Sequence, residues 1–410
     1  MKIGFYIHHT SLKAGGIFTH SVGILKLLVK SDEIEKIHLV ISSNQIEYFQ
    51  KFAGNPKIQL DIIDRGKIFV NINFALSYFL SVIVTLYCSA FKKITGLKFL
   101  SILSQKVNPY CKSVNHSNID LFHVPLQYAP VYNIEVPVII TMHDIQEYHF
   151  PENFSFLQKL HRKINNSIAI KESDHVIVSY NHIKADLLKY FEIEESKISV
   201  CPPLFAGDWF LTSDVTSVIE LKQKYELHDK FLLYPAATWK HKNHYTLLKA
   251  LTLLKREGII IQLICTGNKT GYYDSLQKQI ADLNLSDQIK FLGIIPEKDL
   301  IGLYKCTTLV VIPTKYEAGS GPLYEAMRYS VPVICSNITS LPETMGNEEY
   351  IFNPDDEKEM ASKIKRMIQD ENYRSENLAN SAKRVNEMSK VNYSKNFIDV
   401  YRKLLGESNK

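Results

Sequence analysis

What most restricts the fold of this chain is a rhythm. Short, almost uninterrupted apolar runs alternate with longer stretches of helical periodicity, and the whole pattern occurs twice. Runs such as TLVVIPT and VPVIITMH lack the in-and-out alternation of a strand with one wet face. A strand reads this way when both faces are covered, as in a parallel sheet with helices packed on each side. The first half offers KIGFYIH, KIHLVIS, IQLDIID, DLFHVP, VPVIITMH, HVIVSY and KISVCPP, with helical text between most of them, as in FTHSVGILKLLVK after Gly16. From Leu204 to Ser217 periodicity lapses and Gly and Ser appear, which marks a hinge. The second half restarts with KFLLYPAA, IIIQLICTG, QIKFLGII, TLVVIPT, VPVICSN and EYIFNP.

The expected fold class is therefore α/β, with two doubly wound Rossmann-like domains facing a central cleft. Residues 1–205 form the first domain and 218–388 the second, and residues 389–410 form a C-terminal helix that packs back toward the first. Two domains suit the length of 410 residues, 45% of them hydrophobic, since domains run to roughly 150–200 residues. In such folds ligands lie beyond the carboxyl ends of the strands, so the strand-to-helix turns are where chemistry is expected.

A formal net charge of +5 is mild for this length, and no tract has the density of a nucleic-acid arm. No nucleic-acid partner is expected; anionic small molecules or a lipid surface suit the charge equally. Six cysteines are scattered without any C-x-x-C pair and read as reduced thiols. The start, MKIGFYIHHTSLKAGG, lacks the apolar region and cleavage site of a signal peptide. The expected location is cytoplasmic, with room for peripheral contact at the inner face of the cell membrane.

One segment departs from the rhythm. Ile68 to Phe91 carries no charge and is bounded by Lys67 and by Lys92 with Lys93. Its length alone permits a membrane span. Against a span stand the regularly placed Asn71, Asn73, Ser77, Ser81, Thr85 and Ser89, and three preceding strands of an ordinary domain. The segment is read as a helix of the first domain, either covered or facing a membrane. Its basic flanks, with QKLHRKI at 158–164, permit contact with anionic lipids.

The densest candidate site is PTKYEAGSGPLYEAM, from Pro313 to Met327, where Glu317 and Glu325 bracket a turn of Gly319, Ser320, Gly321 and Pro322. TLVVIPT is a strand and PLYEAMRYS a helix, so the turn lies at a strand's carboxyl end. Pro322 suits a first helical turn, and the glycines let backbone N–H groups approach an anion at the helix start. Glu325, one turn inside, is placed to accept two hydrogen bonds from a vicinal diol such as a ribose. Glu317 is placed to meet a sugar hydroxyl or a positive anomeric carbon.

The Glu-x7-Glu arrangement, followed by AMRYSVPVICSNITSLPETMG, resembles the retaining, nucleotide-sugar-dependent glycosyltransferases of family four, which have the GT-B fold. The likeness extends along nearly the whole chain. Gly15 and Gly16 in SLKAGGIFTH match the family's glycine loop near the donor phosphates. ITMHDIQEYHF resembles the His-Asp stretch of members that build bacterial surface polysaccharides, which implies that His143 contacts the transferred sugar. In YPAATWKHKNHYTLLKAL, Lys242 matches the lysine that meets the diphosphate, while Ala237 stands where many members have arginine. More of the charge then falls to Lys242, Lys240 and the helix start. Ser320 replaces a glycine of the commonest form and offers its hydroxyl beside the backbone donors. Gly267 and Ile295 complete the expected donor-binding set, with base contacts falling near Gly293 to Ile295.

The resemblance implies a hexosyltransferase that moves a hexose or deoxyhexose from a GDP- or UDP-sugar to a glycan, or to a polyprenyl-linked acceptor, in polysaccharide or lipopolysaccharide synthesis. Glu317, His143 and Lys242 carry the catalysis. No cofactor and no metal are expected, since Lys242 and the helix start meet the leaving-group charge and no D-x-D turn is found; NPDDE at 353–357 reads as a helix start. A nucleotide-sugar 2-epimerase-like isomerase and a non-catalytic partner subunit remain the alternatives, the latter favoured by Ala237.

Overall fold

The computed structural model describes residues 1–7, 16–64, 67–91, 103, 106–132, 134–203 and 215–406. They form two compact units: Met1–Leu204 together with Asn392–Lys410, and Phe205–Val391. Gly15 and most of the expected hinge lie outside the described residues.

Every apolar run of the first half becomes a strand of one sheet. These are β1 (Lys2–Tyr6), β2 (Lys36–Ser42), β3 (Ile58–Ile63), β4 (Leu121–Val124), β5 (Val138–Met142), β6 (His175–Val178) and β7 (Ile198–Val200). The sheet has the order β3-β2-β1-β4-β5-β6-β7, and its strand pairs are parallel, as at Phe5 opposite His123. All residues of β4, β5 and β6 are buried, which is why these runs show no polar alternation. The order reverses between β1 and β4, so this unit's topological switch point lies at their carboxyl ends.

The uncharged segment is a helix along its full length, Ile68–Phe91. Among the described residues no helix is long and apolar enough to cross a membrane. The helix Phe156–Glu172 starts at Ser155, whose hydroxyl accepts from the Gln158 N–H while the Gln158 side chain returns to the Ser155 N–H. A last helix, Tyr393–Leu404, belongs to this unit. Its Phe397, Ile398 and Tyr401 are buried in one core with Ile3, Phe5, Leu121 and Ile139. The Tyr401 hydroxyl lies 2.7 Å from His123 Nδ1, so the polar tip of a buried ring is satisfied.

The second unit repeats the plan with β8 (Phe231–Pro235), β9 (Gln262–Thr266), β10 (Ile289–Gly293), β11 (Leu309–Ile312), β12 (Val333–Ser336) and β13 (Ile351–Phe352). Their order is β10-β9-β8-β11-β12-β13, with parallel pairing. The switch point here lies between β8 and β11, whose trailing turns are KHKNH and KYEAGSG. Gly267, just past β9, has φ 111°, and a Cβ there would sit 2.8 Å from the Ala236 carbonyl carbon and the Ala237 nitrogen. Only glycine allows these two backbones to cross so closely.

Candidate functional site

At the switch point of the second unit, a network of hydrogen bonds from buried side chains to backbone carbonyls ties two turns together. After β8 a 3-10 turn, Lys240–Lys242, leads through Asn243 in the left-handed region (φ 60°) into the helix His244–Arg256. The buried Tyr234 hydroxyl donates to the Lys242 carbonyl at 2.7 Å. Asn243 Nδ2 donates to the carbonyls of Pro313 (2.9 Å) and Pro354 (2.7 Å), and Asn243 Oδ1 accepts from Thr246 Oγ1 at 2.7 Å. The Lys315 N–H donates to the His241 carbonyl at 2.7 Å. These bonds leave little freedom to either turn.

The two turns bring together Lys242 and Glu317, whose Nζ and Oε2 atoms lie 2.6 Å apart. Both side chains are mostly withdrawn from solvent, at 18% and 14% exposure. Glu317 is also held along its main chain: its N–H donates to Thr339 Oγ1 (3.1 Å), and its carbonyl accepts from Ser340 Oγ (3.0 Å). Sequence reading missed Asn243, Thr339 and Ser340. Thr339 and Ser340 follow β12, and only the β11-β12 neighbourhood brings them alongside Glu317.

The helix Gly321–Arg328 begins beside this pair. Ser320 is its N-cap, with Oγ accepting from the Leu323 N–H at 3.3 Å, and the residue is only 1% exposed. The hydroxyl expected beside the ligand donors is therefore turned inward as the helix cap, an arrangement N-terminal serines favour. Gly321 leaves open space: a Cβ there would meet only Glu325 Oε1, at 3.7 Å. Glu325 thus folds back toward the helix start, where sequence reading put it. Burial lifts its carboxyl above the ordinary range, the Tyr304 hydroxyl pulls it down, and Glu297 adds to the rise.

Ile295 packs inward against the core of the unit, and the exposed neighbour is Ile294. Gly267 donates its N–H to the Gly293 carbonyl at 2.8 Å, so the expected base-contact stretch is tied to the glycine that passes over Ala236 and Ala237. Buried His244 lies between Tyr234 (ring centroids 4.7 Å apart) and Phe291 (5.7 Å). Neither ring nitrogen reaches a hydrogen-bond partner among the described residues. Burial first, then Lys242 and His241, hold it neutral with a pKa of about 3.

In the first unit His143 directly follows β5, and Nε2 donates to the Pro125 carbonyl beyond β4 at 3.1 Å. That bond fixes the tautomer and leaves Nδ1 as an acceptor. The His20 ring meets it edge-on at 5.3 Å. Burial lowers both histidines: His20 to about 3, with His143 and His123 adding to the effect, while the Pro125 bond and Asp144 moderate the fall at His143. Gly16 opens the helix Gly16–Lys30.

Behind His143, Arg162 Nη2 lies 2.6 Å from Asp144 Oδ1, and its Nε donates to Glu147 Oε2 at 2.8 Å. Glu147 Oε1 accepts from Asn166 at 2.7 Å. Arg162, grouped by sequence with the lipid-facing basics, is instead an internal clamp on the His-Asp stretch. Among the described residues no group of three or more His, Cys, Asp or Glu side chains is placed to hold a metal. Asp356 caps the helix Glu357–Gln369, as expected of NPDDE.

Residues 218–385 match the family of glycosyl transferases group 1. The O-antigen chain mannosyltransferase RfbU of Salmonella typhimurium is 30% identical over 230 residues, which cover 56% of this chain and 60% of that protein. The O-antigen chain mannosyltransferase B of Escherichia coli is 26% identical over 69% of this chain and 74% of its own length. Among solved structures, Anabaena HepE in complex with UDP superposes with a TM-score of 0.65 at 16% identity, over 98% of this chain and all of that one. The last likeness speaks to the fold alone.

Proposed function

We propose that this chain, which belongs through its second unit to the glycosyl transferases group 1 family, transfers a hexosyl group from a nucleoside-diphosphate sugar to a glycan in bacterial surface-polysaccharide synthesis. The observation that carries this reading is the Lys242–Glu317 pair at a switch point, beside a glycine-opened helix start backed by Glu325. The mannosyltransferases among the relatives favour mannose as the sugar. The donor is a GDP- or UDP-sugar, and the acceptor a polyprenyl-linked glycan met at the inner face of the membrane.

In this reading the second unit holds the nucleotide. The diphosphate lies at the start of the helix Gly321–Arg328, where the glycine-opened backbone and the helix dipole meet its charge. Lys242 adds a full positive charge as the bond to the anomeric carbon breaks, so no metal is needed for the leaving group. Glu325 accepts from the ribose hydroxyls.

Glu317 is a poor nucleophile with an ammonium 2.6 Å from one oxygen. Its proposed work is to aim Lys242 and to stabilise positive charge on the sugar ring, with the departing phosphate taking the acceptor's proton. Transfer then occurs with retention of anomeric configuration. In the first unit, His143 offers Nδ1 to a hydroxyl of the sugar.

The test is transfer of labelled mannose from GDP-mannose to a membrane lipid extract, read beside the thermal shift given by a panel of nucleoside diphosphates. The cognate base alone stabilises the fold by mass action. A flat panel, together with absent transfer from any donor, defeats the proposal.

A further inference from the structure

The helix Ile68–Phe91 is inside out. Its polar Ser77 is buried, while Ile68, Phe69, Ile72, Leu76 and Phe79 are between 43% and 77% exposed. At 100° per residue these five fall on one stripe about 100° wide, and Ser77 lies outside it on the opposite side. Leu80 is buried, so the stripe excludes it. A soluble helix turns such a stripe toward its core; here the stripe is the outer surface.

A second helix carries exposed apolar residues of its own. Phe156–Glu172 packs on Ile68–Phe91, with the Tyr78 hydroxyl donating to Asn165 Oδ1 at 2.9 Å. At its start Phe156 and Leu157 are three-quarters exposed and Leu160 is exposed beside them. Lys159 and Lys163 border this apolar run on one side.

Along the sequence, the charge flanking the two helices is one-sided. Asp and Glu make up 43 of the 410 residues, yet none occurs between Asp64 and Asp120, a stretch that holds Arg65, Lys67, Lys92, Lys93, Lys98, Lys106 and Lys112. None occurs between Glu152 and Glu172 either.

We infer that these two helices form the surface by which the chain docks on an anionic phospholipid bilayer, lying in the headgroup layer with Phe69, Phe79, Phe156 and Leu157 immersed. An apolar stripe bordered by lysines is what such a layer binds, acyl chains taking the rings and headgroups the cations. A second copy of this chain would bring the same cations face to face, which disfavours self-association through this patch. The inference rests on the lipid-linked acceptor of the proposed function for its purpose. Its geometry belongs to the first unit alone.

The full chain is sedimented with vesicles containing phosphatidylglycerol and with vesicles of phosphatidylcholine alone, without any donor. The parent chain is expected to bind the anionic vesicles and to be released by about 1 M salt, where screening reaches within about 3 Å. Lys159→Gln/Lys163→Gln weakens binding about fivefold per lysine, and Phe69→Ser/Phe79→Ser reduces it to background. Thermal shifts by nucleoside diphosphates stay as in the parent, so failure here is told apart from failure of the transferase reading. Should the serine pair fail to fold, the lysine pair carries the test. No binding by the parent, or equal binding by the lysine variant, overturns the inference. So does a dimer, seen by light scattering, that the variants dissolve.

Discussion

Thr339 anchors Glu317 at a cost to its own backbone. Its Oγ1 accepts from the Glu317 N–H at 3.1 Å while its φ is 49°, a left-handed conformation that a β-branched residue adopts with strain of about 1–3 kcal/mol. Strain of this kind persists only where the surroundings fix it, and here it lies next to the carboxylate that aims Lys242.

Thr339→Gly removes the strain and the hydroxyl together, whereas Thr339→Ala removes the hydroxyl and keeps the strain. The glycine variant is expected to be at least as stable as the alanine variant, by about 1 kcal/mol in urea unfolding. Both lose transfer rate to a similar degree. Alanine proving the more stable would show that the conformation is not strained.

Lys242→Met should lower the maximal transfer rate by about 10²–10³, the usual loss for one donor aimed at developing charge, with a smaller change in donor affinity. Because it strands Glu317, Lys242→Met/Glu317→Gln is expected to be more stable than Lys242→Met alone. Single-turnover kinetics and denaturant midpoints read the two effects separately.

Glu325→Gln is expected to weaken nucleoside diphosphate binding by about 1–3 kcal/mol through lost ribose hydrogen bonds. The carboxyl is raised by burial, so it takes up its proton at a higher pH than an ordinary carboxylate. Parent affinity should therefore start to fall earlier on acidification than free glutamate chemistry suggests. The parent-to-variant affinity ratio against pH isolates this group, and a constant ratio would contradict its role.

Burial depresses His244 to about 3 and His123 to about 3. Unfolded, each binds a proton near pH 6.5 that the folded chain refuses. Their contribution to stability is complete above pH 6.5 and is lost as pH falls from there toward 3. His244→Phe, which keeps a ring between Tyr234 and Phe291, is expected to be neutral or stabilising at pH 7. It should also flatten the urea midpoint between pH 6.5 and 4.5; an unchanged slope would show that His244 is not a buried neutral group.

Arg162→Met leaves Glu147, with 4% side-chain exposure, without its cation. A loss of about 3 kcal/mol is expected, and much of it should return in Arg162→Met/Glu147→Gln. A surface role for Arg162 would leave thermal melting nearly unchanged.

The strands were legible because burial on both faces writes itself into the sequence as continuous apolar text, and the switch-point turns follow from strand ends. Lys242 and Glu317 could each be assigned to such a turn. Their meeting across 75 positions depends on β8 lying beside β11, and no local pattern states which strands are neighbours. Thr339 and Ser340 were invisible for the same reason, as contributions from a third strand end. Ser320 was misread because an N-cap and a ligand donor use the same oxygen, and only the direction of the side chain separates them. Arg162 was misread because its carboxylate partners precede it by 18 and 15 positions.

The bond between His123 and Tyr401 joins residues 278 positions apart, and the helix Tyr393–Leu404 supplies part of the core around Ile3 and Phe5. On the ribosome, the strands made first must therefore wait, with an open apolar flank, until the intervening second unit has been synthesised. The second unit draws its core from a continuous stretch of chain and can close first, so the order of maturation is the reverse of the order of translation. During that interval the unfinished flank invites chaperone capture or misassembly. Synthesis pauses within codons 205–391 would lengthen exposure of the first unit rather than relieve it.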